Sequence, residues 1–158
     1  VFEKIDIGIR TFLRDEQLRH ALIGVTENFP QARLIVVDDG EMSEEKKVWY
    51  ENLRTYGRII DILPFDSGFG VKSNRIVELS TRPYLLIGSD DFEFSDYAAH
   101  GILDMQKMLD NCPDIDIVSG RVNFKSYEFY LDIKWITTYI PGYYIKERPV
   151  FDSNASSF

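Results

Sequence analysis

Tyr84-Leu85-Leu86-Ile87-Gly88-Ser89-Asp90-Asp91-Phe92-Glu93-Phe94 is an apolar run that ends abruptly in acids. Leu85, Leu86 and Ile87 read as a buried strand of the kind found inside a parallel sheet. Gly88 and Ser89 carry small side chains where that strand must meet a loop or a ligand. Asp90 and Asp91 then fall at its carboxyl end, where open α/β sheets hold their ligands. Two adjacent carboxylates repel each other unless something cationic joins them. A hard cation such as Mg²⁺ or Mn²⁺ carrying a diphosphate meets that need, because such ions take oxygen ligands. The competing reading is a solvated Asp-Asp turn, which is common after strands of α/β folds.

The same pattern recurs toward the amino end. Leu34-Ile35-Val36-Val37 is another buried strand, and it too runs into acids, Asp38-Asp39, followed by Gly40. In a parallel sheet both acid pairs arrive at one edge. Ile5-Asp6-Ile7-Gly8-Ile9 has β-branched residues at alternate positions and reads as the first strand. Leu18, Leu22, Val25 and Phe29 follow at helical spacing until Pro30 stops the helix. Ser43-Glu44-Glu45 predicts an N-cap with an acidic first turn. Trp49, Leu53 and Tyr56 are the expected inward stripe, and Gly57 the stop. Ile59 to Leu63 is the next strand. Gly68-Phe69-Gly70 then leads into a helix carrying Ile76, Leu79 and Val77. A glycine loop at a helix amino end, with Lys72 and Arg75 nearby, suits a phosphate, although a plain turn with two solvated cations has the same appearance.

Beyond the acidic strand, Ser95-Asp96 caps a helix running through Asn111, with Ala99, Ile102, Leu103 and Leu109 inward. Ile115 to Gly120 is expected as a further strand. From Val122 to Tyr144 aromatic and β-branched residues alternate, predicting antiparallel hairpin strands with a turn at Pro141-Gly142. The fold class is therefore α/β: a sandwich around a mostly parallel central sheet, with a β-rich carboxyl-terminal part.

Composition supports a folded domain. Of 158 residues, 44% are hydrophobic and 14% aromatic, enough for a core. The net charge of −8 argues against nucleic acid or an anionic membrane surface as the main partner. Cys112 is the only cysteine, so there is no internal disulfide and no cysteine metal cluster, which fits a reducing compartment. No apolar run is long enough to span a membrane, and the amino end lacks a signal-peptide pattern. Val1 at the start and Asn154-Ala155-Ser156-Ser157-Phe158 at the end lead us to expect a fragment. Its residues 1–158 would form a single domain, with 124–158 beginning an incomplete acceptor-side region.

With both acidic strand ends and the glycine–helix unit in place, the chain resembles the nucleotide-sugar half of a family 2-type glycosyltransferase of the GT-A fold, the Rossmann-like nucleotide-diphospho-sugar transferase architecture. The resemblance rests on Ile9-Arg10-Thr11, Val37-Asp38-Asp39-Gly40, Gly70-Val71-Lys72-Ser73-Asn74 and Ser89-Asp90-Asp91. In wording it is nearer still to animal β-1,4-N-acetylgalactosaminyltransferases, through Thr11-Phe12-Leu13-Arg14, Asp90 to Phe94, and Val118-Ser119-Gly120-Arg121-Val122. It covers roughly residues 5 to 124. The resemblance implies an inverting, metal-dependent transferase. It would move GalNAc, GlcNAc or a related hexose from a UDP-sugar to a glycan, glycolipid or polysaccharide acceptor.

Thr11 and Asp39 would hold the uracil and ribose, with Asp38 the less direct of its pair and Asn74 the helix asparagine of the motif. Lys72 or Arg75 would lie near the diphosphate. Asp90 would bind ribose or metal, and Asp91 would be the ligand of Mn²⁺ or Mg²⁺. The implied location is the cytoplasm, at the membrane surface for a bacterial-type enzyme, or the Golgi lumen for an animal-type one.

The chain departs from that pattern. Ser89 stands where the metal motif usually has its first acid, and Ser73 where an arginine commonly precedes the helix asparagine. The catalytic base is expected beyond Phe158, with Asp132, Glu147 and Asp152 as possible stand-ins. His20 and His100 fall on helices and read as structural or solvated. A GT-A-like module that binds a nucleotide without catalysis is the alternative. A receiver domain would place its acid pair after the first strand, and a nucleotidyltransferase a glycine-rich loop there. The chain has Arg10 to Arg14 at that position, with no glycine.

Overall fold

The computed structural model describes residues 1–119 and, as backbone, the strands at 134–140 and 143–150. These residues divide into two compact units, Val1–Gln106 and Lys107–Phe158. The first alternates strand and helix: β1 (Ile5–Thr11), α1 (Asp15–Asn28), β2 (Arg33–Asp38), α2 (Glu44–Thr55), β3 (Ile59–Ile62), α3 (Phe69–Leu79) and β4 (Tyr84–Ser89), followed by the start of α4 (Asp96–Asn111), whose last residues are counted with the second unit. The sheet has the order β3-β2-β1-β4, with every pairing parallel. In the second unit β5 (Lys134–Ile140) and β6 (Tyr143–Val150) pair antiparallel on either side of Pro141-Gly142, as the aromatic alternation predicts.

Strand periodicity explains the two layers over the sheet. Side chains two apart share a face, so Ile5, Ile7 and Ile9 of β1 join Leu34 and Val36 of β2. They are covered by Leu18, Leu22 and Val25 of α1, Tyr50 of α2 and Ala99 of α4. Ile35 and Val37 point to the other face and meet Ile76 of α3. Gly8 also faces that side. A Cβ there would lie 2.2 Å from Ile76 Cγ2, so glycine lets α3 approach the middle of the sheet.

Local caps follow the sequence. The Ser43 hydroxyl accepts from Lys46 N at 3.1 Å and opens α2. Gly68 starts α3 with φ of 93°, a left-handed conformation that costs glycine little.

Four expectations are corrected. β4 lies at the end of the described sheet, pairing β1 alone, and Ile87 is exposed rather than enclosed. An apolar run announces burial without saying how many neighbours the strand has. Ile115 to Ser119 forms no strand, and Ile117 is 85% exposed. Alternation is only a preference, and a strand also needs a partner. Tyr56 is exposed because α2 stops at Thr55, so the inward face is Lys46, Trp49, Tyr50 and Leu53. Val77 is exposed because it lies one helical step, about 100°, away from Ile76. Asp132 and Asp152 lie outside the described residues, as does the Glu147 side chain.

Candidate functional site

Parallel pairing brings the strand ends together at the carboxyl edge. β1 lies between β2 and β4, in a register that sets Thr11 opposite Asp38 and Arg10 opposite Ser89. One residue beyond Ser89, Asp90 reaches the Thr11 hydroxyl, which donates to its Oδ2 at 2.8 Å.

Alternation sends the first acid pair to opposite faces. Asp38 meets α2, accepting from Lys46 Nζ at 2.7 Å, the Tyr50 hydroxyl at 2.5 Å and Gly40 N at 2.7 Å. Burial would pull the Lys46 pKa down, but Asp15 and Asp38 outweigh it and raise it. Burial and Asp38 both push the Tyr50 phenol far up, so it stays a donor. Asp39 meets α3, accepting from Lys72 Nζ at 2.5 Å and Gly68 N at 2.9 Å. Lys72 also donates to the Thr11 carbonyl at 3.1 Å. Asp38 and Asp39 are thus both buried and supplied with donors, fixing the loops around the edge.

The second acid pair is different. Asp90 is buried, yet among the described residues its Oδ1 has only Ser89 Oγ at 3.3 Å and Arg14 Nη1 at 3.5 Å. Asp91 has a side chain 54% exposed and meets the same Arg14 nitrogen at 3.2 Å. Arg10 approaches from the α3 side, donating to Ser73 Oγ at 3.0 Å with its guanidinium 3.9 Å from the Phe69 ring centroid. Burial lowers the Arg10 pKa, against the raising influence of Asp90 and Asp91. The edge is therefore a mixed-charge surface, with two carboxylates under the influence of two guanidinium groups.

The surrounding loops are held tightly. Leu63 N and Asp66 N donate to the Asp38 and Asp39 carbonyls at 2.8 and 2.9 Å, and the Phe12 and Phe65 rings lie 5.5 Å apart. Leu13 and Asp66, in these loops, have φ of 54° and 56°, a region that non-glycine residues rarely occupy. Such backbone persists where surrounding contacts over-determine it, often beside ligand sites. Gly88 is small for a local reason: a Cβ there would lie 3.0 Å from Phe94 Cζ. The loop after β4 folds back over that position.

Among the described residues no group of three or more His, Cys, Asp or Glu side chains is arranged to hold a metal ion. The oxygens of Asp90 and Asp91 nevertheless fit a hard cation of the magnesium type, which commonly takes one or two carboxylates and completes its shell with phosphate oxygens and water.

Six of the expected residues, Thr11, Asp38, Asp39, Lys72, Asp90 and Asp91, are gathered at this edge. Arg75 is engaged by Asp61 at 2.6 Å and Glu78 at 2.9 Å, which raise its pKa, Asp61 foremost. Asn74 is exposed on α3. His20 and His100 are both exposed, with His100 Nδ1 2.8 Å from the Asp96 carbonyl. Arg10, Arg14, Lys46 and Tyr50 were not singled out from sequence. Their signal was a polar end to the first strand and a Lys-x-x-x-Tyr spacing along α2, legible only once the acids' facing directions are known. Two concavities, of about 310 and 400 Å³, are lined by residues of other surfaces and by none of these strand-end acids.

No family model matches the chain. It is 29% identical over 127 residues to β-1,4 N-acetylgalactosaminyltransferase 2 of Mus musculus, covering 80% of this chain and 23% of that protein. It is 27% identical over 120 residues to β-1,4 N-acetylgalactosaminyltransferase 1 of Homo sapiens, covering 75% of this chain and 20% of that one. The chain spans about a fifth of the length of these curated relatives. Among solved structures, S. aureus TarS superposes with a TM-score of 0.54 at 15% identity, covering 77% of this chain and 23% of that one. A TarS 1–349 structure also gives 0.54, at 14% identity over 67% of this chain and 32% of that chain. The fold is GT-A-like, and the similarity to the N-acetylgalactosaminyltransferases suggested by the motifs is present across most of the chain.

Proposed function

We propose that the chain is the donor-binding part of a glycosyltransferase that moves GalNAc, GlcNAc or a related hexose from a UDP-sugar to an acceptor hydroxyl, with inversion and with Mn²⁺ or Mg²⁺. The acceptor class is a glycan, glycolipid or polysaccharide. One observation carries the reading. Of the two acid pairs at the sheet edge, Asp38-Asp39 is consumed by structural partners, whereas Asp90-Asp91 keeps exposed oxygen beside Arg10 and Arg14. Sequence similarity to two N-acetylgalactosaminyltransferases supports it.

In this reading Asp91, with Asp90, holds the cation. Thr11 orients Asp90 through their 2.8 Å hydrogen bond. Asp39, by fixing Gly68 and Lys72, shapes the nucleoside side of the site. Arg10 lies beside the acid pair, in position to meet a diphosphate. A divalent cation bound there would neutralise the leaving diphosphate as the glycosidic bond breaks.

A module that binds the donor without transferring sugar is the second reading, favoured by Ser89 at the usual position of the first acid. Calorimetric titration of UDP with Mn²⁺, and then with EDTA, tests the donor site. Binding that needs the metal and prefers UDP to GDP and CDP is expected. Absence of nucleotide binding would end the donor reading. Donor hydrolysis or transfer by the same preparation separates an enzyme from a binding module.

A further inference from the structure

We propose that Arg14 is a resident counter-cation of the Asp90–Asp91 pair, competing there with a lone divalent ion and yielding the pair when the ion arrives with a diphosphate. The inference rests on the donor reading above and assigns a role to a residue outside the expected site. Arg14 precedes α1 at its N-cap position, directly after Leu13 with its φ of 54°. Its side chain makes no helix cap. Instead one nitrogen, Nη1, lies 3.2 Å from Asp91 Oδ2 and 3.5 Å from Asp90 Oδ1. It therefore lies within reach of both carboxylates at once, and a cation drawn to either would have to compete with it.

The arrangement is built to be displaced. A single nitrogen divided between two acids lacks the two parallel hydrogen bonds that make arginine–carboxylate pairs strong. The Arg14 side chain is 53% exposed, so water competes for it. Exposed pairs of this kind are weak. Compare Arg33, which donates to the buried Asp6 with two nitrogens, at 2.8 and 2.6 Å.

Charge then sets the order of events. A lone divalent cation entering between Asp90 and Asp91 must push away a positive guanidinium and remain beside Arg10. A cation carrying a diphosphate brings negative oxygens with it. Arg14, released from the carboxylates, then has a new anionic partner within reach. Arg14 thus opposes metal alone and favours metal with nucleotide, which couples the two ligands positively.

The test is a Mn²⁺ titration followed by the electron paramagnetic resonance of the free ion, with and without saturating UDP. It uses the parent chain and the Arg14→Ala, Arg14→Gln and Arg14→Lys variants. Neutralising Arg14 should tighten binding of lone Mn²⁺ about two- to fivefold and weaken Mn²⁺ binding in the presence of UDP about tenfold. Arg14→Lys, which keeps the charge, should resist lone Mn²⁺ as the parent does. A purely structural role would move both affinities in the same direction, and that result overturns the proposal. So does lone Mn²⁺ binding left unchanged or weakened by both neutral variants. A parent chain that binds no UDP under any condition sinks the donor reading instead, while the titration with Mn²⁺ alone still decides the competition at the carboxylates.

Discussion

Asp6, Asp38, Asp39, Asp90 and Asp91 are one residue type in five environments, and the difference between them is the supply of donors. Asp6 is fully buried and receives Arg33, Ser80, Thr81 N and Arg82 N. Asp39 is equally committed to Lys72 and Gly68. Removing it would strand a buried ammonium, so Asp39→Ala should cost about 3–5 kcal/mol in urea unfolding. Adding Lys72→Met should recover a large part of that loss. Asp91 is the opposite case. Half exposed and held, among the described residues, by Arg14 alone, it can be changed to alanine with a stability cost within about 0.5 kcal/mol. That Asp91→Ala variant should lose Mn²⁺-dependent UDP binding while keeping its circular dichroism and melting temperature. Unchanged metal-dependent affinity would remove Asp91 from the site.

At the scale of elements, β1 and α3 carry the geometry of the edge. α3 supplies Lys72 to Asp39 and Ser73 to Arg10, and both contacts require it to lie close on the sheet. Gly8 permits that approach, since Ile76 Cγ2 occupies the place of its missing Cβ. Gly8→Ala should therefore cost about 1–3 kcal/mol through overpacking. Ile76→Ala alone should cost about 2–5 kcal/mol as a cavity. Each change relieves the fault of the other. The double variant should accordingly be less damaged than the sum by about 1 kcal/mol or more, and strict additivity would show that α3 can shift freely. α2 plays the matching part on the other face, where Lys46 and Tyr50 anchor Asp38.

For the whole molecule, the two edges of the sheet divide the labour. The amino edge is locked by Asp6, which ties β1 to the start of β2 and to the turn before β4. Burial would raise its pKa, but the donors from Arg33, Arg82, Thr81 and Ser80 together lower it from 3.8 to about 2. Because the folded value is below the unfolded one, this stabilisation is complete above about pH 4 and is lost as pH falls through about 2. It amounts to about 2 kcal/mol. Urea midpoints measured between pH 5 and 2 should show that loss, and Asp6→Asn should flatten it. The carboxyl edge, by contrast, keeps unspent charge. Much of this could be read in the chain itself. The strand–helix order, the arrival of both acid pairs at one edge and the glycine start of α3 all follow from periodicity and residue chemistry, which are local. The stretch from Ile115 to Ser119 and the edge position of β4 were misread because pairing depends on a partner distant in sequence. The sequence by itself determined which residues could carry charge to the edge of a parallel sheet. Only the tertiary structure decided which of those charges are spent, because burial and donor supply come from the faces of α2 and α3 and from the register of β1 with its neighbours. No spacing along the chain records that Asp38 and Asp39 are consumed within the fold while Asp90 and Asp91 share one exposed arginine.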